Sequence, residues 1–248
     1  ELRLTLLDVG QGLATVVETA DHTLIFDTGS RLPDGLDMGA AVIQPFLRHQ
    51  ALRDIDHLVI SHGDNDHSGG AAHLIANLTI NHISSSDPRW AELPRGSYCH
   101  SDQHWQWDGV DFRFLAPPAT AFTKENDNSC VLMMTTDSQQ LLLTGDIEAA
   151  AEHWLVEHYA DKLHSQVMVA PHHGSKTSSS AELLQHVRPE WILIAAGYLN
   201  RFHFPHPDVI QRYRQYQMQW LNTADEGAIQ IMTSGKQLLL SGERQRQQ

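Results

Sequence analysis

Four residues of the kind that bind metal ions lie within six positions, directly after an apolar strand. The strand is predicted over D-H-L-V-I-S-H (56–62), and S-H-G-D-N-D-H-S-G-G (61–70) continues from its end. The four candidate ligands in this string are His62, Asp64, Asp66 and His67. A strand holds the base of such a loop, so alternate side chains can point at one centre. The spacing therefore predicts a metal site rather than a solvated acidic loop.

Two glycines close the string. Gly69 and Gly70 begin a helix predicted over residues 69–77. Because glycine has no side chain, its backbone N–H can approach an anion at the start of a helix. We therefore expect both glycines to take part in binding a substrate.

The charge of the chain limits how it can meet a nucleic acid. The sequence has 17 Lys and Arg against 30 Asp and Glu, a formal net charge of −13. Such a surface does not hold a polyanion by bulk electrostatics. If the substrate is a nucleic acid, the attraction must come from bound metal ions or from another domain.

The length and the order of elements favour one domain. The 248 residues suffice for one large domain or two small ones, and no Pro- or Gly-rich linker divides them. We expect one α/β (α+β) domain over residues 1–242 and a disordered polar tail over 243–248. No apolar run reaches the ~20 residues of a membrane span. The chain begins at Glu1 with neither Met nor a signal pattern, so we expect a piece of a longer protein.

Hydrophobic periodicity places strands and helices along the chain. Strands are predicted over 2–7, 14–18, 23–27, 56–62, 78–81, 111–116, 129–136, 139–146, 165–171, 191–197, 220–223, 228–232 and 236–240. Helices are predicted over 37–50, 69–77, 147–160, 180–187 and 207–217, and residues 84–107 are predicted to be irregular. Two packed sheets with helices outside accommodate this order. The cysteines, Cys99 and Cys130, are either a disulfide pair or two core thiols.

Several motifs, taken in order, resemble the metallo-β-lactamase superfamily, which carries H-x-[HD]-x-D-H at the end of an early strand. The segments D-V-G-Q-G (8–12) and F-D-T-G (26–29) resemble its opening strands. With E-N-D-N-S-C-V-L (125–132) and P-H-H-G-S (171–175), they make nearly the whole chain similar to the C-terminal domain of the ComEC family of DNA-internalisation proteins. The resemblance implies a metallo-β-lactamase-like four-layer αββα sandwich of two mixed sheets.

The resemblance also implies a site for two divalent metal ions. His62 and Asp64 would serve the first metal, and Asp66 and His67 the second. The acid that ends L-L-L-T-G-D (141–146), Asp146, would bridge both, although Asp is also a favoured N-cap for the helix that follows. The mixture of imidazoles with three carboxylates favours Mn²⁺, and Zn²⁺ also fits.

By the family pattern, one histidine of P-H-H-G-S is a further ligand of the second metal. Adjacent residues after a strand point to opposite sides, so only one of the pair is expected to reach the metal. We favour His172, which leaves His173 to a supporting or substrate-facing role.

Other polar residues are candidates for binding a phosphate. Asn128 and Ser129 either line the site or form a turn before a strand. Ser175 and Lys176 follow the histidine pair, and Lys176 is equally well read as a surface lysine.

The segment N-R-F-H-F-P-H-P (200–207) resembles the family pattern N-R-[YF]-x-H-P, with an insertion two residues longer than expected. It supplies Arg201 as a phosphate-binding candidate. His206 is the counterpart of the family histidine, either as a first-metal ligand or as a proton donor, but the insertion leaves His203 as a rival. A histidine that caps the helix beginning at Pro207 is the alternative.

These residues together predict a metal-dependent phosphodiesterase. Two cations would activate a water and neutralise the charge on the phosphoryl group, so no Ser or Cys nucleophile is required. The residues expected to take part in catalysis are Asp66, Asp146, His173 and His206. The alternatives are a hydrolase of a small phosphodiester or ester and a non-catalytic module coupled to a channel.

The resemblance implies a biological setting as well. It implies a nuclease domain that degrades the non-transported DNA strand during natural transformation. The domain would lie on the outer face of the cytoplasmic membrane, beside a membrane channel domain and a DNA-binding domain of the same protein. Because the chain is acidic, we expect the isolated domain to bind DNA weakly.

Overall fold

Two mixed β-sheets pack face to face, with helices covering their outer surfaces. The structure is a computed structural model that describes residues 1–101, 103–115, 121–235 and 237–244. Apolar side chains form one core between the sheets and two more beneath the helices on either side. The four-layer αββα arrangement predicted from the sequence is confirmed.

The first sheet has the order β15-β14-β1-β2-β3-β4-β5-β6. Its strands are β1 (Leu2–Leu6), β2 (Thr15–Glu18), β3 (Thr23–Phe26), β4 (Asp54–Ile60), β5 (Thr79–Ser85), β6 (Gly96–Tyr98), β14 (Ile229–Ser234) and β15 (Gln237–Gly242). Strands β3 to β6 run parallel, and the other neighbours are antiparallel.

The second sheet has the order β13-β12-β11-β10-β9-β8-β7. Its strands are β7 (His104–Trp107), β8 (Val110–Phe114), β9 (Leu132–Thr135), β10 (Gln140–Leu143), β11 (Val167–Val169), β12 (Trp191–Ile194) and β13 (Gln219–Asn222). Strands β10 to β13 run parallel. The loops that follow parallel strands leave from the same edge of a sheet, which is where ligand sites form in such folds.

The helices lie between the strands in the chain. They are α1 (Gln44–His49), which continues a π-helical turn over Gly39–Ile43, α2 (Asn65–Ser68), α3 (Ala71–Asn77), α4 (Pro88–Ala91), α5 (Ala149–Tyr159), α6 (Ala181–Val187), α7 (Pro207–Gln215) and α8 (Thr223–Glu226). Among the described residues, no helix has both the length and the apolar character that a membrane span requires.

The prediction that residues 84–107 are irregular is wrong. This segment contains the end of β5, all of α4, and the strands β6 and β7. Proline commonly interrupts a helix, but Pro88 lies in the first turn of α4, where proline is favoured. It follows the N-cap residue Asp87, whose carboxylate accepts a hydrogen bond from the N–H of Arg89. β6 and β7 each form the outer edge of a sheet, so their short and partly polar sequences carry a weak signal.

The predicted polar tail begins in contact with the domain. The N–H of Glu243 donates to the carbonyl oxygen of Ala228 (3.0 Å), and the guanidinium of Arg244 lies 3.2 Å from a carboxylate oxygen of Asp8. The rest of the predicted tail, residues 245–248, lies outside the described residues.

A disulfide joins Cys99 to Cys130, which decides between the two alternatives that the sequence left open. Cys99 follows β6 in the first sheet and Cys130 precedes β9 in the second, and both are buried. The N–H of Cys130 also donates to the carbonyl oxygen of Ser61 (2.8 Å). The two sheets are therefore linked beside the loop that carries the candidate metal ligands.

A buried imidazole on β4 makes stability depend on pH. His57 lies between the sheets, with Nε2 2.8 Å from the Ser84 hydroxyl and its ring 4.9 Å from that of Trp105. Burial, helped by the neighbouring His82, lowers the pKa of His57 to about 3. The unfolded chain binds this proton near pH 6.5. Stability from His57 is therefore present above that pH and lost as the pH falls towards 3.

We expect the protein to lose about 2 kcal/mol of unfolding free energy through His57 between pH 7 and pH 5. The variant His57→Gln has no group to protonate there, so its stability should fall less over that range. Urea denaturation at the two pH values measures the difference, and His49→Gln, on the surface, is the matched control. Equal pH dependence in His57→Gln and the native protein would contradict this assignment.

Candidate metal centre

Imidazoles and carboxylates from several strand ends meet in two overlapping groups. The first contains His62, His67 and Asp146, and the second contains Asp66, His67 and His173. Within each group the possible ligand atoms lie within 4.8 Å of one another. Asp146 follows β10, whereas His173 follows β11 and the others follow β4. His67 belongs to both groups, so the two sets of ligand atoms adjoin.

One short contact in this cluster joins two nitrogen atoms. Nε2 of His67 lies 3.1 Å from Nε2 of His173. The other nitrogen of each ring is committed, because Nδ1 of His67 lies 2.7 Å from Oδ2 of Asp27 and Nδ1 of His173 lies 2.7 Å from the carbonyl oxygen of Ala195. Both partners accept hydrogen bonds, so each Nδ1 carries a proton and each Nε2 of a neutral ring presents a lone pair. Two such lone pairs repel unless a proton or a cation lies between them.

Two further buried atoms of the cluster lack a full set of hydrogen bonds. Among the described residues, Nε2 of His62 has a long contact with Oδ2 of Asp64 (3.5 Å), and Oδ1 of Asp146 has the ring of His67 beside it, with Nε2 at 3.0 Å. Buried polar atoms are normally paired, because an unpaired one loses its contacts with water without compensation. Both atoms are of types that bind Mn²⁺ or Zn²⁺. The residues present therefore fit a divalent metal site.

The charges of the cluster support one another. Burial alone would raise the pKa of Asp146, but the imidazoles of His173 and His67 outweigh it and hold that pKa well below its usual range. Asp66 is less buried, and the same two histidines overcome its burial to lower its pKa to about 2. Both carboxylates are therefore ionised and available as ligands at neutral pH.

The pKa values of the histidines are shifted in the opposite direction, upwards. Burial would lower the pKa of His67, but Asp146 and Asp27 raise it well above the ordinary value. The pKa of His173 is raised in the same way by Asp146 and Asp66 against the effect of burial. A cation that binds these rings takes the place of protons, so metal binding and proton release are coupled.

One side of the cluster opens to solvent at Asp64. Its side chain is 52% exposed, and its Oδ2 lies 3.5 Å from Nε2 of the buried His62. The hydrogen-bonding contact with His62 lowers the pKa of Asp64 against the effect of burial. Asp64, together with the partly exposed Asp66, therefore forms the solvent-facing side of the centre, whereas His62 is enclosed.

A buried carboxylate that the sequence analysis missed orients His67. Asp27 is fully buried, and its two oxygens accept from Nδ1 of His67 and from the hydroxyl (2.7 Å) and N–H (2.6 Å) of Ser61. An acid in this position fixes the tautomer of a ligand histidine. The signal was present in F-D-T-G (26–29), which we read only as the end of a strand.

The conformation of the histidine pair overturns the reasoning that favoured His172. Both residues have left-handed backbones, with φ of 47° at His172 and 54° at His173, so the turn directs both rings towards Asp146. The distances from Oδ2 of Asp146 are 3.5 Å to Nε2 of His173 and 3.7 Å to Nε2 of His172. His173 also lies 3.4 Å from Asp66, and it belongs to a ligand group, whereas His172 does not.

His172 has a different partner. Its Nδ1 lies 3.3 Å from Oε1 of Glu148, and its side chain is 20% exposed. Glu148 in turn contacts the hydroxyl of Thr177 (3.0 Å) and the ammonium group of Lys124. His172 is therefore held at the rim of the centre, where it can face a bound molecule.

The glycines of the metal loop serve close packing. A side-chain carbon on Gly69 would lie 2.2 Å from the backbone nitrogen of Arg31, and one on Gly70 would lie 2.5 Å from the backbone oxygen of Thr28. The N–H of Gly69 already donates to the carbonyl oxygen of Asn65 (2.9 Å). The N–H of Gly69 is therefore not free to bind an anion, contrary to the expectation from the sequence.

Ser129 and Asn128 have separate roles although they are adjacent. The hydroxyl of Ser129 is buried, accepts from the N–H of Asp146 (3.2 Å) and lies 3.4 Å from Nδ1 of His62. Asn128 instead bonds to the backbone of Phe122 and Lys124 through its amide group. Ser129 thus supports the ligands, whereas Asn128 has the turn-forming role that was its alternative.

The remaining candidates belong to neither ligand group. Nδ1 of His206 accepts from the N–H of Asp208 and caps α7, as the alternative interpretation expected. Lys176 is exposed and lies 3.3 Å from a carboxylate oxygen of Asp208. The hydroxyl of Ser175 lies 3.0 Å from that of Thr177. The guanidinium of Arg201 stacks on the neighbouring Phe202 ring, and His203 is exposed.

The sequence has relatives among competence proteins. The chain is 39% identical over 231 residues to Competence protein ComA of Neisseria gonorrhoeae, which covers 93% of this chain and 32% of that protein. It is 35% identical over 226 residues to Recombination protein 2 of Haemophilus influenzae, which covers 91% of this chain and 28% of that protein. The chain thus spans about a third of the length of these curated relatives.

The fold has a counterpart among solved structures. Igni18, a metallo hydrolase from Ignicoccus hospitalis, superposes with a TM-score of 0.61 at 15% identity, over 94% of this chain and 100% of that one. The sequence matches the metallo-beta-lactamase superfamily over residues 7–195. The competence relatives agree with the ComEC resemblance seen in the motifs. The chain belongs to the metallo-β-lactamase superfamily.

Proposed function

We propose that this domain is a metal-dependent phosphodiesterase that cleaves DNA, as part of a longer protein of DNA uptake. The observation that carries the proposal is the pair of ligand groups that share His67, one of them bordered by the exposed Asp64. Relatives named as competence proteins support DNA as the substrate.

The two ligand groups support sites for two divalent ions. His62 and Asp146, with the exposed Asp64 beside His62, would hold one ion, and Asp66, His67 and His173 would hold the other, with His67 common to both groups. Bound there, divalent ions supply Lewis acidity to a phosphoryl group. Carboxylates favour Mn²⁺, and the three imidazoles also suit Zn²⁺.

The side chains around the ligands complete the site. Asp27 and the carbonyl oxygen of Ala195 hold His67 and His173 with their Nε2 atoms directed inward. His172 faces the same space from the rim and can donate a hydrogen bond to a substrate oxygen, while Glu148 orients its ring. These contacts support His172, rather than the helix-capping His206, as the histidine next to a bound phosphodiester.

The net charge of −13 leaves capture of DNA to other parts of the protein. We propose that a membrane channel domain and a DNA-binding domain of the full-length protein deliver the strand. A position on the outer face of the cytoplasmic membrane suits the disulfide between Cys99 and Cys130, because disulfides persist in oxidising compartments.

The isolated domain should cut DNA slowly and only with a divalent metal present. Proteins with many phosphate contacts lose roughly 10³–10⁵ in affinity between 50 and 200 mM salt. The affinity of this domain for DNA should depend far less on salt concentration. With few Lys and Arg to contact phosphates, it can release few counterions from the DNA. Titration of a labelled oligonucleotide at several salt concentrations, with Mn²⁺ or with chelator, measures both binding and cleavage. His67→Ala should abolish cleavage, while His186→Ala, at a partly exposed histidine of α6, should not. A steep salt dependence that survives the chelator would contradict the proposal.

The adjacent histidines should separate metal binding from turnover. His173→Ala removes one ligand ring from the group formed by Asp66, His67 and His173. The metal content should therefore fall by about one ion per chain. His172→Ala should keep both ions and lose turnover. Metal analysis after desalting, together with cleavage rates, compares the two variants directly. The reverse outcome, in which His172→Ala loses the metal, would restore the preference drawn from the sequence.

Asp27→Asn should weaken metal binding although Asp27 is not a ligand. An Asn amide facing Nδ1 of His67 favours the tautomer that puts a proton on Nε2, where the metal would bind. Loss of such a supporting carboxylate costs about 10–100-fold in metal affinity. Calorimetric titration with Mn²⁺ measures the loss, and the exposed Asp54→Asn serves as its control. Unchanged affinity in Asp27→Asn would show that the tautomer of His67 does not limit binding.

A further inference from the structure

A buried glutamate outside the ligand set accepts hydrogen bonds from the loop that follows the histidine pair. Glu152 lies in the first turn of α5 and is fully buried. Its Oε1 accepts from the N–H of Ser179 (2.6 Å), and its Oε2 accepts from the N–H of Ser180 (2.7 Å). Both carboxylate oxygens are thus bonded to successive peptide groups of one loop.

Hydrogen bonds continue from this loop to the histidine turn. The hydroxyl of Ser178 donates to the carbonyl oxygens of Pro171 (2.7 Å) and Ser175 (2.9 Å). The N–H of Ser175 donates to the carbonyl oxygen of His172 (2.8 Å). The peptide groups on either side of the histidine pair are therefore tied to the segment that Glu152 holds.

The turn requires such support because its conformation is unfavourable. Two consecutive non-glycine residues, His172 and His173, have left-handed backbones. Ser179, in the loop bonded to Glu152, also has a positive φ of 53°. Each residue in that region is destabilised relative to an ordinary conformation. Such conformations persist where neighbouring groups fix them.

The surroundings show that the carboxylate is not there for packing. Burial raises the pKa of Glu152 to about 7, against the effect of the Ser179 and Ser180 bonds and of Arg212. On α7, Arg212 donates to the carbonyl oxygen of Ser178 (2.8 Å), and the Tyr213 hydroxyl lies 2.8 Å from that of Ser179. These are the charged and titratable groups that face Glu152. An apolar side chain would fill the space without the cost of burying a charge.

We propose that Glu152 is a positioning residue of the metal centre, which fixes the loop over residues 178–180 and thereby holds His173 in place as a ligand. This inference rests on the proposed metal site. It assigns a role in the site to a residue of α5 that belongs to neither ligand group.

The test compares Glu152→Gln with Glu157→Gln, which makes the same change on an exposed face of the same helix. Glutamine keeps the size but has one acceptor oxygen, so its NH₂ group meets a peptide N–H. Mn²⁺ affinity should fall about tenfold or more in Glu152→Gln, as for other residues that support ligands. The absorption spectrum of bound Co²⁺, which reports ligand geometry, should change. Glu157→Gln should match the native domain in both.

Ser178→Ala tests the connection without disturbing the buried acid. It removes the bonds to Pro171 and Ser175, and it should weaken Mn²⁺ binding in the same direction. In the double variant the two losses should not add, because both act through one loop. Thermal unfolding shows whether Glu152→Gln folds. If it does not, the Mn²⁺ affinity of Ser178→Ala decides whether the loop positions the histidine turn.

The outcomes separate the two proposals. Native Mn²⁺ affinity and Co²⁺ spectrum in folded Glu152→Gln, or in Ser178→Ala where the former is unfolded, would overturn the positioning role. If the native domain itself binds neither metal, the proposed function fails instead. A lower melting temperature with unchanged metal binding would mean that Glu152 serves the fold alone.

Discussion

The approach of two imidazole nitrogens to 3.1 Å, between His67 and His173, is the contact on which the rest of the centre depends. Neither ring can turn away, because each Nδ1 is bonded to a fixed acceptor. The facing lone pairs require a positive charge, and the ionised Asp66 and Asp146 beside them stabilise one. The buried charges of this site are therefore stable only as a set, and removal of one member leaves the others uncompensated.

The two rings come from different sheets, so the packing of the sheets sets their separation. His67 follows β4 in the first sheet, and His173 follows β11 in the second. The disulfide between Cys99 and Cys130 and the bond from Cys130 to Ser61 join the sheets close to His62. The apolar core between the sheets thus has a direct part in the chemistry, because a shift of one sheet would change the distance between ligands.

The sequence alone predicts the parts of this centre that are local. The metal loop follows from residue type and from its position after an apolar strand, whereas Asp146 as a ligand and the four-layer fold follow from the resemblance to the superfamily. The choice between His172 and His173 does not, because it depends on two left-handed backbones that no propensity of histidine predicts. The cap formed by His206 depends equally on where α7 begins in space.

Other features were visible in the sequence but pointed to a different role. Gly69 and Gly70 read as an anion site, whereas the structure gives them a steric reason, the close passage of the chain at Thr28 and Arg31. Asp27 read as the end of a strand, and its role emerges only when β3 and β4 are paired. In both cases the missing information is a long-range contact, which a local pattern does not contain.

Two buried acids, Asp27 and Glu152, support the centre from opposite sheets. Asp27 accepts from the N–H of Ser61 as well as from His67, and Glu152 accepts from the N–H groups of Ser179 and Ser180. Both therefore hold the backbone that carries the ligands. With Asp66 and Asp146, they place part of the net charge of −13 inside the domain or within its site. Two divalent ions bound as proposed would add about +4 there, so the field at the site would be far more positive than the net charge of the chain indicates.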